Sequence, residues 1–440
     1  MLKLQIPSYF KARRQALMKA HQGASFIFPS PSVVLRNPDV PHPFRQESHF
    51  YYLSGFDEEN SCLVLAHDPK ASHGFRSFLF VQPRDPSKEL WDGERYGVDR
   101  AASIFSVDEA APIETLWERL PEILKFTNEV YYSLGKDEAN DQKLISVLGK
   151  LQKSKGRSGL GQRAVKDPME PVGEMRVIKK SEELEILKKA CEATAQSHLQ
   201  AMKQVRPGMN EFEVQALIEY EFKKNGCQRT GYGSIVAGGK NACCLHYVSN
   251  NEPLKDGDLL LIDAGGEMDY YTSDITRTFP VGKSMSKEQK ELYEIVLAAN
   301  EQAISIVKPG LPYSAIHRKA QEVLAQGLKD LGLLEGSVEE IIEDRTKLFR
   351  YFPHGTGHFL GMDVHDVGLY KIEGKSRVLE PGMVFTIEPG LYAQPTDQHC
   401  PEKYRGIGIR IEDNILVTES GFQVLTSDVP KAIEEIERLR

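Results

Sequence analysis

The chain has 440 residues, 40% of them hydrophobic and 27% charged, with a formal net charge of −8. That length exceeds one ordinary core and predicts two domains. An acidic balance with no basic block argues against nucleic acid and anionic membrane surfaces as partners.

No apolar run reaches the roughly 18 residues of a transmembrane helix. The six cysteines form no CxxC pair and read as reduced thiols of a cytoplasmic protein. The opening stretch, MLKLQIPSYFKARRQALMKAHQG, predicts a surface helix capped by Ser8 and stopped near Gly23, rather than a transit peptide. Residues 1–172 then mix strands (ASFIF, SCLVLA, SFLFVQ, NEVYYSL) with helical stretches such as LISVLGKLQKSK, an α/β pattern without a catalytic cluster. RAVKDPMEPVGEMR reads as a polar, proline-bearing linker, so the domains are placed at 1–172 and 173–440, ahead of a strong helix at Ser181.

The second part repeats itself. VRPGM (205–209) and VKPGL (307–311) each follow a long helix and open another. Asn210 with Glu213, and Ser286 with Gln289, have capping-box spacing. LKDGDLLLIDAG (254–265) aligns with LEPGMVFTIEPG (379–390), each a turn followed by an apolar strand that ends in a carboxylate. Two related halves would bring their carboxylates to a shared centre.

Alternation sorts the side chains by sheet face. Asp263 is in phase with Leu259 and Leu261, Asp274 with Thr276 and Thr278, and Glu388 with Val384 and Thr386. A turn around GGEMD makes the first two segments a hairpin. In GIGIRIEDNILV, Arg410, Glu412 and Asn414 take the face opposite Ile407, Ile409 and Ile411, so Arg410 beside Glu412 reads as one possible ion pair. Singly, each acid is ordinarily a strand-end cap or an arginine partner. Four together would repel strongly in a low dielectric, and two divalent ions would neutralise them.

HGTGHFLGMDVHD (354–366) carries three histidines. A helix here would place two glycines mid-turn, at about 1 kcal/mol each relative to alanine, and the glutamate of HExxH is missing. Read as extended, four residues span about 13 Å, so His354 and His358 do not share one metal. The spacing does not choose between the histidines.

DAGGEMDYYTSDITRTFPVGK, PHGTGHFLGMDVHDVG, EPGMVFTIEPGLY and YRGIGIRIEDNILVTE resemble the motifs of the pita-bread metallopeptidases, specifically the Xaa-Pro aminopeptidase (aminopeptidase P) family. FRQESHFYYLSGF and DGERYGVDRA resemble that family's amino-terminal domain. The resemblance implies an α/β (α+β) chain, an amino-terminal α/β domain followed by a pita-bread catalytic domain built from two related halves. It implies Asp263, Asp274, His358, Glu388 and Glu412 as metal ligands, with His246, His365 and Glu388 catalytic and His354, Tyr392 and Arg410 on the substrate side. The cofactors implied are two divalent ions, Mn²⁺ first and Co²⁺ or Zn²⁺ as alternatives. The activity implied is removal of the first residue from peptides with proline second, by a cytoplasmic homo-oligomer, dimer or tetramer. A prolidase confined to Xaa-Pro dipeptides is the nearest rival. A non-enzymatic or metal-free relative is disfavoured by the intact ligand set. The amino-terminal domain reads first as a packing or assembly module; the alternative is that Trp91 and the RNPD turn reach the active-site mouth, in the same or a neighbouring subunit.

Overall fold

Strand Ala24–Pro29 is buried along nearly its whole length because it lies inside a six-stranded sheet. The strand order is Glu109–Pro112, Phe75–Val81, Cys62–His67, Ala24–Pro29, Glu129–Tyr131 and Ala164–Lys166. Ala24–Pro29 runs antiparallel to Cys62–His67 and parallel to Glu129–Tyr131. The computed structural model describes residues 6–154, 156 and 163–440, and the sheet belongs to the first of two units, Met1–Gly173 and Glu174–Arg440.

Two local expectations change. Ser8 has helical dihedrals and makes no side-chain cap, and the helix Tyr9–Ala20 buries Phe10, Arg13, Arg14, Leu17 and Met18. Its arginines look like surface charge in the sequence. Arg14 instead donates to the carbonyls of Leu53 (2.7 Å) and Phe105 (3.1 Å), at the C-terminal ends of two other helices, where a cation meets the negative end of the helix dipole. The supposed linker is ordered as strand Ala164–Lys166 and helix Met169–Val177. Pro171 lies in that helix's first turn, where a missing N–H leaves no acceptor unpaired.

The second unit is wired twice in the same way. After helix Ser181–Gln204, Gly208 N–H donates to Leu254 O (2.9 Å) and Leu254 N–H to Met209 O (2.8 Å). After helix Lys287–Ser305, Gly310 N–H donates to Leu379 O (2.8 Å) and Leu379 N–H to Leu311 O (2.8 Å). Both capping boxes form. Gly257 (φ 87°) and Gly382 (φ 90°) make the matching left-handed turns before the two strands, a conformation open to glycine at little cost.

In the first half, Leu259–Ala264 lies between Ile235–Gly238 and Ile275–Pro280, with Asp263 opposite Thr276. Asp269 and Tyr270, both at positive φ, turn the hairpin between Gly266–Met268 and Tyr271–Thr272. In the second half, Val384–Ile387 pairs with Asp413–Val417, with Thr386 opposite Asn414. The halves abut where Glu412 N–H donates to Thr276 O (3.1 Å) and Arg410 N–H to the Thr278 hydroxyl (3.2 Å). The fold is thus α/β, with a second unit built of two related halves. No helix among the described residues is long and apolar enough to cross a membrane.

Candidate active site

The acids collect where the two halves meet. Asp263 closes strand Leu259–Ala264, Asp274 precedes Ile275–Pro280, Glu388 follows Val384–Ile387, and Glu412 sits in the break between Gly408–Arg410 and Asp413–Val417. With Tyr232, His246, His354, His358, His365 and Arg410 they line a cavity of about 420 Å³.

The stretch 354–366 contains no helix. Glu388 N–H donates to Thr356 O (2.8 Å) and Thr386 N–H to His358 O (2.9 Å), so residues 356–358 run as an extra strand-like edge. Gly357 permits that approach, since a Cβ there would lie 1.9 Å from Thr386 O. The pairing carries His358 to the acids. Its Nε2 is 3.4 Å from Asp274 Oδ2 and 3.5 Å from Glu388 Oε1, and its Nδ1 is 3.1 Å from Phe359 O. An Nδ1–H donated to that carbonyl leaves the Nε2 lone pair for a cation.

His354 has both nitrogens engaged. Nδ1 lies 2.7 Å from Gly355 O and Nε2 2.9 Å from the Tyr392 hydroxyl. Burial, then the charge of Arg410, pushes its pKa down to about 3, so it is neutral. Tyr392 lies behind the cavity and also accepts from Arg410 Nη1 at 3.0 Å. His246 and His365 stand on the exposed rim.

Asp274, His358 and Glu412 offer ligand atoms that all lie within 4.8 Å of one another. Glu412 Oε2 accepts from the Thr276 hydroxyl (2.7 Å), while its Oε1 is buried with no hydrogen-bond partner among the described residues. Burial, then the charge of Asp274, holds the Glu412 carboxyl well above its ordinary value. Burial, then Asp263, does the same to Asp274. A bare acceptor and acids that resist ionising together are what a divalent cation relieves, so this donor set fits one.

Asp263 and Glu388 lie outside that compact trio. Asp263 Oδ1 accepts from the Tyr232 hydroxyl (2.6 Å) and Oδ2 from Arg410 Nη2 (2.5 Å). Burial works against its ionisation, but Arg410 and Tyr232 outweigh burial and lower its pKa. Arg410 therefore pairs with Asp263 and not with its neighbour Glu412. Its guanidinium crosses to the other half, where Nε also donates to the Thr276 hydroxyl at 3.1 Å.

Three supporting residues have no role assigned from the sequence, although alternation places Thr386 and Asn414 on the faces of the acids. Tyr232, from GYGS, places its hydroxyl between Asp263 and Asp274. Thr386 accepts His358 N–H (3.1 Å) and donates to Glu388 Oε1 (3.4 Å). Asn414 accepts Asp274 N–H at 3.1 Å. Asn414 carried a signal, an amide inside an apolar strand. Tyr232, flanked by glycines, had no periodicity to mark it. Trp91 is 84% exposed on helix Pro86–Asp92 in the first unit, and the RNPD stretch forms the exposed hairpin Leu35–Asn37 with Val40–Pro41.

Residues 185–419 match the model of metallopeptidase family M24, and residues 10–132 that of the aminopeptidase P N-terminal domain. The Xaa-Pro aminopeptidase of Haemophilus influenzae is 41% identical over 100% of this chain and 98% of its own length. The structure of Pseudomonas aeruginosa aminopeptidase PepP superposes with a TM-score of 0.94 at 43% identity, covering 99% of this chain and 98% of that one. Zn-substituted Escherichia coli aminopeptidase P in complex with product gives 0.93 at 40% identity, with coverage of 99% and 98%.

Proposed function

The chain belongs to metallopeptidase family M24, and from that premise we propose that it releases the amino-terminal residue from peptides with proline in the second position. The observation that carries the reading is the trio Asp274, His358 and Glu412 around the unpartnered Glu412 Oε1. Asp274, His358 and Glu412, with Asp263 and Glu388 beside them, would hold two divalent ions. Four carboxylates and a single imidazole favour Mn²⁺, with Co²⁺ or Zn²⁺ as substitutes.

Divalent ions held there supply a water of lowered pKa and a Lewis acid for the peptide carbonyl. The protein's own groups do the rest. His365 and His246, on the rim, donate to the carbonyl oxygen as it gains negative charge. Glu388, beside His358, carries the proton to the leaving proline nitrogen. His354, neutral and tied to Tyr392, forms a fixed wall for the proline ring. Arg410 keeps Asp263 ionised and oriented. The protein works in the cytoplasm as a dimer or tetramer, and residues 1–172 form its aminopeptidase-P-type domain.

The test compares metal-stripped and Mn²⁺-reconstituted protein on a Xaa-Pro tripeptide, the Gly-Pro dipeptide and a tripeptide without proline. The expected result is metal-dependent cleavage of the first alone. Cleavage confined to Gly-Pro would establish a prolidase, and equal rates without proline would overturn the specificity.

A further inference from the structure

His365 faces the cavity with nothing to hold its ring. No hydrogen bond from a described residue reaches its imidazole, which meets the His358 ring edge-on at 4.4 Å between centroids. Its position therefore depends on the backbone on either side of it.

That backbone is gripped at two points. Asp366 N–H donates to Phe359 O (2.8 Å) and closes the loop. The Asp366 carboxylate, 1% exposed, is shared between Arg176 Nη2 (2.5 Å from Oδ1) and Lys179 Nζ (3.0 Å from Oδ2), which are exposed 2% and 1%. Arg176 Nη2 also lies 2.6 Å from Asp363 Oδ2. Asp363 and Asp366 bracket His365. The cations are themselves fixed, because Lys179 N–H donates to Gly382 O (2.9 Å) and Ile178 bridges to Met383. There is no slack in the loop, since a Cβ on Gly361 would lie 2.2 Å from Asp366 Oδ2.

Arg176, Lys179 and the Asp366 carboxylate are taken out of water, while Asp363 is 37% exposed at the edge of the cluster; such burial is costly, and apolar side chains of similar volume often stabilise as well or better. Such a cluster supplies direction more than stability, through fixed donor forks and short contacts. We propose that Arg176 and Lys179 are positioning residues, which hold His365 at the reacting carbonyl by gripping Asp363 and Asp366. The role of His365 in this inference rests on the peptidase reading above.

The experiment uses the Mn²⁺-loaded full chain. Arg176→Met and Lys179→Met are made alone and on a His365→Ala background, and kcat, KM and metal content are measured on a Xaa-Pro tripeptide. Each single variant is expected to lower kcat about tenfold or more while KM and metal content hold. On the His365→Ala background the further loss should shrink to about threefold or less, since groups acting through one another are not additive. Lys179→Arg should recover most of kcat. In proton–nitrogen spectra of the protein loaded with diamagnetic Zn²⁺ in place of Mn²⁺, the His365 ring signal, assigned by its loss in His365→Ala, should move or split in Arg176→Met.

An equal fold-loss on both backgrounds would overturn the proposal, as would an unmoved His365 signal with unchanged kcat. Should Arg176→Met fail to fold, Lys179→Met, which keeps the Arg176–Asp366 pair, carries the same comparison. Should the wild type cleave no peptide, the peptidase reading fails, while the ring signal still decides whether Arg176 holds His365.

Discussion

Arg410 Nη2 lies 2.5 Å from Asp263 Oδ2 with both side chains largely buried, and this pair sets Asp263 apart from the acids around it. Asp263 is held ionised while Asp274, Glu388 and Glu412 are all pushed upward. Arg410→Met removes the guanidinium that pairs with Asp263. Metal-free protein should lose about 3–5 kcal/mol of stability by urea denaturation, the usual cost of leaving a buried charge unpaired. Saturating Mn²⁺ should recover part of it, because a bound cation takes over that compensation. An equal loss with and without metal would mean that Arg410 serves packing alone.

His358 and His354, four residues apart, should separate by metal content. His358→Ala removes the imidazole nearest Asp274 and Glu388, so bound metal per chain and kcat should fall together. His354 has both nitrogens committed to Gly355 O and Tyr392, so His354→Ala should keep its metal and raise KM more than it lowers kcat. Elemental analysis beside steady-state kinetics reads both, and the reverse pattern would place the ligand at the wrong histidine.

The two glycines between them should be unequal. A Cβ on Gly357 would meet Thr386 O at 1.9 Å, whereas one on Gly355 would meet nothing within 4 Å. Gly357→Ala must push apart the backbone that carries His358 and Glu388. It should cost about 3 kcal/mol of stability and weaken metal binding. Gly355→Ala should change stability by no more than about 0.5 kcal/mol. Thermal melts with and without Mn²⁺ compare them.

Glu58, in the first unit, gives a pH-dependent prediction. Burial raises its pKa from 4.5 to about 7, against the Tyr96 N–H bond that lowers it. A carboxyl whose folded pKa is raised takes up protons on folding. Its contribution is therefore favourable below pH 4.5 and lost as pH rises through about 7. Glu58→Gln keeps the amide acceptor and removes the charge. Relative to wild type it should gain roughly 1–2 kcal/mol between pH 5 and pH 8, a figure reduced for the solvent that still reaches the side chain. A wild-type-to-variant gap that does not change with pH would exclude a buried, reluctant acid at this position.

Sequence by itself determined whatever follows from local backbone geometry. Alternation along LLLID and SDITRTF is a property of the extended chain, and the structure sets Asp263 opposite Thr276 accordingly. The capping boxes at Asn210 and Ser286, the paired turns at Gly257 and Gly382, and the non-helical HGTGH stretch are local in the same sense. The duplicated motifs already implied two halves meeting at their carboxylates. Tertiary structure alone decided what each long polar side chain reaches. Arg410 lies two residues from Glu412 but pairs with Asp263, 147 residues away in the chain. Arg14 looked like surface charge and ends on buried carbonyls. Arg176 closed the stretch that read as linker and Lys179 lay just beyond it, yet they meet Asp366 from 190 and 187 residues away. Periodicity specifies the face on which a side chain begins. Where a flexible guanidinium or ammonium ends is set by the buried acceptor that would otherwise go unpaired, and that acceptor comes from a distant part of the chain.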